Sequence, residues 1–225
     1  EGVASFPRQS KFKGDEVISD YTELCLVDNY LELETQEKNH FKRLGNILKG
    51  YPIYSEFLEG VRGVGPAMAG VMLSEIDITK AEYPSSLHKY AGLDVAGDGQ
   101  GRSRKKEHLE ESEYVDKDGA VQTKKGITFN PFLKTKLVGV LGSSFVKQPA
   151  DKCKYRKIYD DYKHRLEHMD AHKEKSKGHR HNMAVRYMVK IFLIDLYNEW
   201  RSLEGLPVAP TYSEAKLGKV HKIAA

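Results

Sequence analysis

The sequence predicts a mainly α-helical fold, a helical bundle with a long N-terminal helical arm and a β-hairpin or loop insertion. Apolar residues recur at steps of three and four through most of the chain, which is the period of an amphipathic helix. Glycine and proline separate these segments. The one segment of different character, residues 94–122, is polar and glycine-rich, and its "DKDGAV" has the Asp-Gly signature of a tight hairpin turn.

Three regions are predicted along the 225 residues, which suffice for one large domain or two small ones. Residues 1–52 form a helical linker or coiled-coil arm, because apolar positions between residues 15 and 49 keep the helical period until Gly50 and Pro52 end it. Residues 53–205 form the main domain. Residues 206–225 form a flexible, proline-punctuated tail.

The main domain begins with three short predicted helices. The first two cover residues 53–59 and 67–76, and Pro66 occupies the first turn of the second. The third lies in "YPSSLHKYAGL", with Ser85 or Ser86 as its N-cap.

Helices resume after the polar insertion. Asn130 is the predicted N-cap of a helix, and the apolar period gives it a buried stripe of Phe132, Leu133, Leu137, Val140 and Leu141. A basic amphipathic helix follows and breaks near Gly178. The most apolar segment, "NMAVRYMVKIFLIDLYNEW", is expected to form the core.

The positive charge is small in sum and uneven in distribution. The formal net charge is +4, yet residues 145–190 hold thirteen Lys and Arg against six Asp and Glu, and "GRSRKK" holds four basic residues between 102 and 106. Such clustering indicates a polyanionic partner, usually a phosphate backbone. The alternative is a solvated helix face.

Other features exclude several protein classes. Cys25 and Cys153 are the only cysteines and belong to no CxxC or Cys/His pattern, so structural zinc, an iron-sulfur cluster and a disulfide scaffold are not expected, and a reducing cytoplasm fits best. No apolar run approaches the ~20 residues of a membrane span. The chain starts without an initiator Met or a secretory signal, as a piece of a longer protein would.

The stretch "VRGVGPAMA", residues 61–69, joins two predicted helices through a Gly-x-Gly turn. Backbone N–H groups at the start of the second helix have no helical partner and lie at the positive end of the helix dipole, so they form a small anion site. Glycine allows φ > 0 and leaves room for a phosphate oxygen. The predicted phosphate contacts are Arg62, Gly63, Val64, Gly65 and Ala67.

This turn resembles the hairpin of helix-hairpin-helix modules, which hold the DNA backbone without reading its sequence. The competing interpretation is a plain corner in which glycine serves close packing. The turn lacks the Lys of base-excision glycosylases, and Asp77 and Asp94 do not fall at the spacing of their catalytic Asp, so a glycosylase is not expected.

The order of the pieces resembles a family. The segments "FLEGVRGVGPAMAGVMLSEI", "YPSSLHKYAGL", a basic loop, "KKGITFNPFLKTKLVGVL" and "NMAVRYMVKIFLIDLY" are similar, over residues 57–197, to the C-terminal transposase domain of the bacterial DEDD insertion-sequence transposases, the family that contains the bridge-RNA-guided recombinases. The chain departs from the family pattern in two places. It has "GQG" at the Ser-Gly position, and it lacks the Lys-x-Gly before Asn130.

The resemblance implies a serine that attacks DNA, and Ser103 is the nearest serine to the family position. Arg102, Arg104 and Lys105 would favour its oxyanion and hold the scissile phosphate. The further predicted nucleic-acid contacts are Lys106, Lys124 and Lys125. The alternative for Ser103 is a polar loop residue.

The resemblance also implies partners and cofactors. DNA is the expected partner, with a guide RNA as a further one, and the family assembles as homo-oligomers. Its metal ligands belong to a separate acidic N-terminal domain, so Mg²⁺ and other cofactors are not expected in this chain, nor is a membrane partner. A non-catalytic helix-hairpin-helix DNA-binding scaffold is the alternative function. A helical protein-interaction module, whose binding would be insensitive to salt, is a third.

Overall fold

The computed structural model describes residues 20–211, 214–215 and 218, and the protein is mainly helical with a two-stranded antiparallel sheet. The chain divides after Ile47 into two compact units. The first unit contains most of α1, a helix over Tyr21–Leu48 whose first turn is capped by the Asp20 carboxylate, which accepts hydrogen bonds from the amides of Thr22 and Glu23. Residues 1–19 of the predicted arm lie outside the described residues.

The second unit holds the remaining elements. Its helices are α2 (Pro52–Glu56), α3 (Pro66–Glu75), α4 (Pro84–Tyr90), α5 (Pro131–Lys134), α6 (Gly142–Val146), α7 (Lys154–His168), α8 (Asp170–Lys173) and α9 (Lys177–Leu203). Proline begins α2 to α5, because its fixed φ suits the first helical turn and it has no N–H to leave unpaired. Neither Ser85 nor Ser86 caps α4. Tyr83 stands at the N-cap without a side-chain hydrogen bond, so that prediction was wrong.

The polar insertion forms a β-hairpin, β1 (Glu110–Val115) paired with β2 (Val121–Gly126). The Asp116 carboxylate accepts hydrogen bonds from the amides of Asp118 and Ala120, and Gly119 adopts a φ of 81° to close the turn. Nearly every residue of both strands is exposed. The hairpin is therefore held by its own ladder and turn rather than by burial in the core.

The helix predicted after Asn130 is interrupted. A π-helical stretch over Thr135–Leu141 connects α5 to α6. Leu133, Leu137 and Leu141 are buried, whereas Phe132 and Val140 are exposed, so two of the five predicted stripe positions were wrong. The wider π turn explains the exposure of Val140, because it keeps Leu137 and Leu141, four residues apart, on one face and turns Val140 outward.

Asn130 caps α5 as predicted and also joins three elements. Its Oδ1 accepts a hydrogen bond from the Leu133 amide at 3.0 Å. Its Nδ2 donates to Glu75 of α3 at 2.6 Å and to the hydroxyl of Tyr90 of α4 at 3.1 Å. This residue fixes the start of α5, and with it the position of Lys134 at the end of α5.

The core lies between α9, α7 and α6. Phe145 stacks on Tyr155 at 4.7 Å, and Phe192 of α9 meets the edges of both rings. The basic helix breaks earlier than predicted, at Met169 and again before Ser176, whose hydroxyl caps α9. Gly178 lies inside α9 instead of ending the preceding helix.

Candidate nucleic-acid interface

The glycine turn before α3 is anchored on α6. Gly63 has a φ of 99°, and its carbonyl accepts a hydrogen bond from the Ser144 hydroxyl at 2.7 Å. A Cβ on Gly63 would lie 2.8 Å from the ring of Phe145. The Arg62 carbonyl accepts a bond from the Cys153 thiol, and the Arg62 side chain is exposed. Glycine at position 63 is thus required both by backbone conformation and by close packing.

The turn offers fewer free amides than the sequence predicted. The Val64 amide donates to the Val61 carbonyl at 3.0 Å, so it is not a free donor, which corrects the expectation for this residue. The amides of Gly65 and Ala67 make no hydrogen bond within the described residues, and both residues are exposed. Two neighbouring donors at the N-terminus of α3 therefore face solvent.

Arg102 anchors its own loop. Its Nε and Nη2 donate to the Asp94 carboxylate at 3.0 and 2.9 Å, and its Nη1 donates to Glu110 at 2.9 Å. Only 12% of its side chain is exposed. Because the guanidinium of Arg102 is bonded to these two carboxylates, Arg102 stabilises the loop. A phosphate could bind Arg102 only by displacing the carboxylates.

Ser103 lies at one end of a chain of hydrogen-bonding groups. Its Oγ is 2.9 Å from Nδ1 of His108, and Nε2 of His108 is 3.0 Å from a carboxylate oxygen of Asp98. The Ser103 amide also donates to Nδ1, at 3.0 Å, so Nδ1 is the unprotonated nitrogen and the proton sits on Nε2, directed at Asp98. This hydrogen bond from His108 is the main cause that lowers the pKa of Asp98.

His108 is almost wholly buried, with 3% of its surface exposed, whereas Ser103 is half-buried. The arrangement positions a neutral imidazole against a serine hydroxyl, with a carboxylate fixing the tautomer. Such a constellation can accept the serine proton during nucleophilic attack.

Half-buried cations surround the backbone of the same loop. Lys134 Nζ donates to the Arg102 carbonyl at 2.6 Å and sits over the ring of Phe129. Burial and the positive charge of Arg186 lower the pKa of Lys134 to about 8. Arg186 donates to the Gly92 carbonyl, and burial lowers its pKa too.

Lys190 lies one turn further along α9. Burial and the charge of Arg186 lower its pKa, while Asp94 acts in the opposite direction. Positive charge is therefore concentrated where water is partly excluded, a condition that costs free energy without a counter-ion.

The remaining predicted contacts lie at the surface. Arg104, Lys105 and Lys106 are exposed in the Ser103 loop. Lys124 and Lys125 are exposed on β2, and Lys125 forms an ion pair with Glu111 at 3.5 Å. These residues stay predictions, since exposure permits a phosphate contact without demanding one.

Sequence reasoning missed the residues that complete the Ser103 site. His108 and Asp98 follow no spacing rule that would have joined them to Ser103, because their approach depends on how the loop closes. Lys134, Arg186 and Lys190 were assigned to helices without a role. One feature of the sequence could have indicated a role for Arg186 and Lys190, since they interrupt the most apolar segment of the chain.

Within residues 20–211, 214–215 and 218, no group of three or more His, Cys, Asp or Glu side chains is placed to hold a metal ion. No helix in the described part of the chain has the length and apolar character of a membrane span. No family model, curated protein or solved structure matches the chain.

Proposed function

We propose that this chain is the DNA-binding and strand-exchange part of an insertion-sequence transposase of the DEDD type and that Ser103 is its nucleophile. The observation that carries the proposal is the Ser103 hydroxyl 2.9 Å from an unprotonated imidazole nitrogen of His108, which Asp98 orients. Free serine is a weak nucleophile, and an adjacent base is the usual means of activating it.

In the proposed step, Ser103 Oγ attacks the phosphorus of a DNA phosphodiester and its proton passes to His108 Nδ1. The Ser–O–P bond forms, the bond from phosphorus to the 3′ oxygen breaks, and the leaving oxygen takes a proton from water. The imidazolium so formed is stabilised by Asp98. Lys134, which donates to the carbonyl next to Ser103, adds positive charge near the phosphate oxygens.

The turn before α3 has a binding role in this proposal, that of a helix-hairpin-helix corner. The unpaired amides of Gly65 and Ala67 would donate to oxygens of one backbone phosphate, and the exposed Arg62 side chain supplies charge beside them. These contacts are independent of base identity, so the corner would hold DNA without selecting a sequence.

The partners and location follow from the same proposal. DNA, with a guide RNA as a further ligand, would contact the exposed basic residues of the Ser103 loop and β2. The helical arm α1 would join copies of the chain. The cytoplasm is the proposed location, and both cysteines are free thiols in the structure.

A serine-directed phosphonylating reagent tests the nucleophile without knowledge of the target DNA. A fluorophosphonate forms an O–P bond to an activated serine and releases fluoride. We expect mass spectrometry to find the adduct on Ser103 of the intact chain, and we expect Ser103→Ala to abolish it. His108→Asn should slow the labelling at least tenfold, because the amide cannot accept the serine proton as a base.

Ser112 provides an internal control, since its hydroxyl donates to the Lys124 carbonyl and makes no hydrogen bond to a histidine or carboxylate among the described residues. Labelling of Ser112 as fast as Ser103 would argue against an activated nucleophile. A second arm uses protein that also carries the acidic domain implied by the resemblance. There, a covalent protein–DNA adduct that survives Ser103→Ala would remove Ser103 from the mechanism.

A non-catalytic DNA-binding scaffold is the second candidate, and one observation favours it. The Ser103 hydroxyl also accepts a hydrogen bond from the Lys105 amide at 3.3 Å, and His108 accepts one from the Ser103 amide, so both groups also stabilise the loop. If the chain is a scaffold, Ser103→Ala should leave DNA affinity and its salt dependence unchanged. Neither the parent chain nor the variant should then form a covalent adduct.

A further inference from the structure

We infer that Lys134, Arg186 and Lys190 form a recess behind the Ser103 loop that binds one phosphate group of a nucleic-acid strand. This inference rests on the proposed function and deepens it, because it names the ligand chemistry at the same site. The three residues are called the cationic recess below.

The recess has more positive charge than its carboxylates can balance. The basic side chains that interact around the loop are Arg102, Arg104, Lys134, Arg186 and Lys190. The carboxylates in contact with this group are Asp94 and Glu110, and both are bonded to Arg102. The five basic side chains and two carboxylates therefore have a net positive charge of about three, which an anion would offset.

The unused donors belong to the recess. Arg186 makes one hydrogen bond in the described part of the chain, from Nη2 to the Gly92 carbonyl at 3.2 Å, which leaves other guanidinium N–H groups open. The ammonium of Lys190 has no hydrogen bond or ion pair to any described residue. Both side chains are only half-buried, so a ligand can reach them. A fork of guanidinium donors beside ammonium groups suits the several oxygens of a phosphate.

The fold holds the recess in place before any ligand arrives. Lys134 is fixed by its bond to the Arg102 carbonyl and by the ring of Phe129, 4.4 Å from Nζ. The guanidinium of Arg186 lies so close to Gly101 that a Cβ there would come within 2.9 Å of it. A side chain at position 101 would therefore displace this guanidinium from its place beside the loop. Residues 101 to 103 and the recess cations are brought together by this packing.

The position of the recess determines which ligand it fits. Lys134 contacts the peptide group that links Arg102 to Ser103, so a phosphate held there would lie beside the serine hydroxyl. A phosphodiester in a DNA or RNA strand meets this requirement and also reaches the exposed basic residues of the loop. Free phosphate shares the chemistry of the recess but lacks those additional contacts.

The test measures binding of fluorescein-labelled 20-nucleotide DNA by anisotropy over a range of salt concentrations. We expect Arg186→Gln with Lys190→Gln to weaken binding about tenfold at moderate salt and to reduce the slope of log K against log salt by about 0.7, the contribution of one phosphate of a single strand. The matched control is Lys89→Gln with Lys177→Gln, which removes the same charge from two exposed lysines.

Equal affinity and slope in the two double variants would overturn the inference. Lys190→Gln alone keeps the test valid if the Arg186 variant does not fold, because the Lys190 ammonium makes no hydrogen bond or ion pair within residues 20–211. Inorganic phosphate is the second arm. Weak competition, only at millimolar concentration, supports a strand phosphate, and displacement of DNA at micromolar phosphate would identify free phosphate as the ligand and overturn it.

The outcomes separate the inference from the proposed function. Loss of DNA binding in the recess variant together with an unlabelled Ser103 would contradict the nucleophile and leave the recess intact. Labelling of Ser103 together with unchanged DNA binding in the recess variant would contradict the recess and leave the nucleophile intact.

Discussion

At the scale of single residues, two glycines in the same turn have different tasks. Gly63 adopts a φ of 99° and packs against Phe145, so its lack of a side chain serves the fold. Gly65 has an ordinary φ of −104°, and a Cβ there would meet no atom of the described residues within 4 Å. No packing contact in the described part of the chain explains glycine at position 65, which is the position expected to face a phosphate.

This difference gives a paired prediction. Gly63→Ala should lower the free energy of unfolding by about 2 kcal/mol, because it adds backbone strain and an overlap with Phe145. Gly65→Ala should unfold in urea like the parent chain, yet weaken DNA binding several-fold because its methyl group blocks the amide of the turn. DNA affinity unchanged in Gly65→Ala would contradict the phosphate-binding role of the turn.

At the scale of elements, the sequence predicted what depends on local pattern. The apolar period located the helices, first-turn prolines located several of their starts, and Asp-Gly located the hairpin turn. The π-helical stretch and the contact of His108 with Ser103 were not predicted. The first depends on packing against other helices, and the second depends on how its own loop closes. Ser103 was proposed from the family resemblance alone, and the histidine that contacts its hydroxyl is seen only in the closed loop.

A half-buried histidine links α4 to α9 beside the cationic recess. Nε2 of His88 lies 3.1 Å from the Lys190 carbonyl, and burial lowers the pKa of His88 from 6.5 to about 4. The unfolded chain therefore binds a proton between pH 6.5 and 4 that the folded chain does not. The contribution of His88 to the free energy of unfolding is therefore fully present above pH 6.5 and is lost as the pH falls through this window.

We predict that this residue makes a measurable contribution to acid sensitivity. Across the window, His88 should contribute a loss of up to about 3 kcal/mol, from a pKa difference of about 2.5 units at 1.36 kcal/mol each. His88→Gln retains a hydrogen-bond donor for the Lys190 carbonyl and cannot titrate. Urea unfolding at pH 7 and pH 4.5 should show a smaller loss in His88→Gln than in the parent, and equal losses would contradict the burial of a neutral imidazole.

At the scale of the whole molecule, the proposed assembly depends on α1. Leu26, Leu33 and Ile47 fall at steps of seven or a multiple of seven on this helix, and each is more than 60% exposed. Helices that repeat apolar residues every seven positions commonly pair along that seam. A second copy of the same helix would bury these side chains.

The seam yields the last prediction. Leu26→Glu with Leu33→Glu should convert an oligomeric chain to a monomer, because each leucine removed from water contributes about 1.5–3 kcal/mol and the added carboxylates repel across the seam. Thr35→Glu with Asn46→Glu is the matched control, since it adds the same charge on the opposite side of the helix. Sedimentation velocity at one protein concentration compares the two double variants.

DNA affinity per chain should fall in the monomer while the Ser103 hydroxyl keeps its reactivity, because the Ser103 loop lies entirely within the second unit. A parent chain that already sediments as a monomer would contradict the assembly proposal.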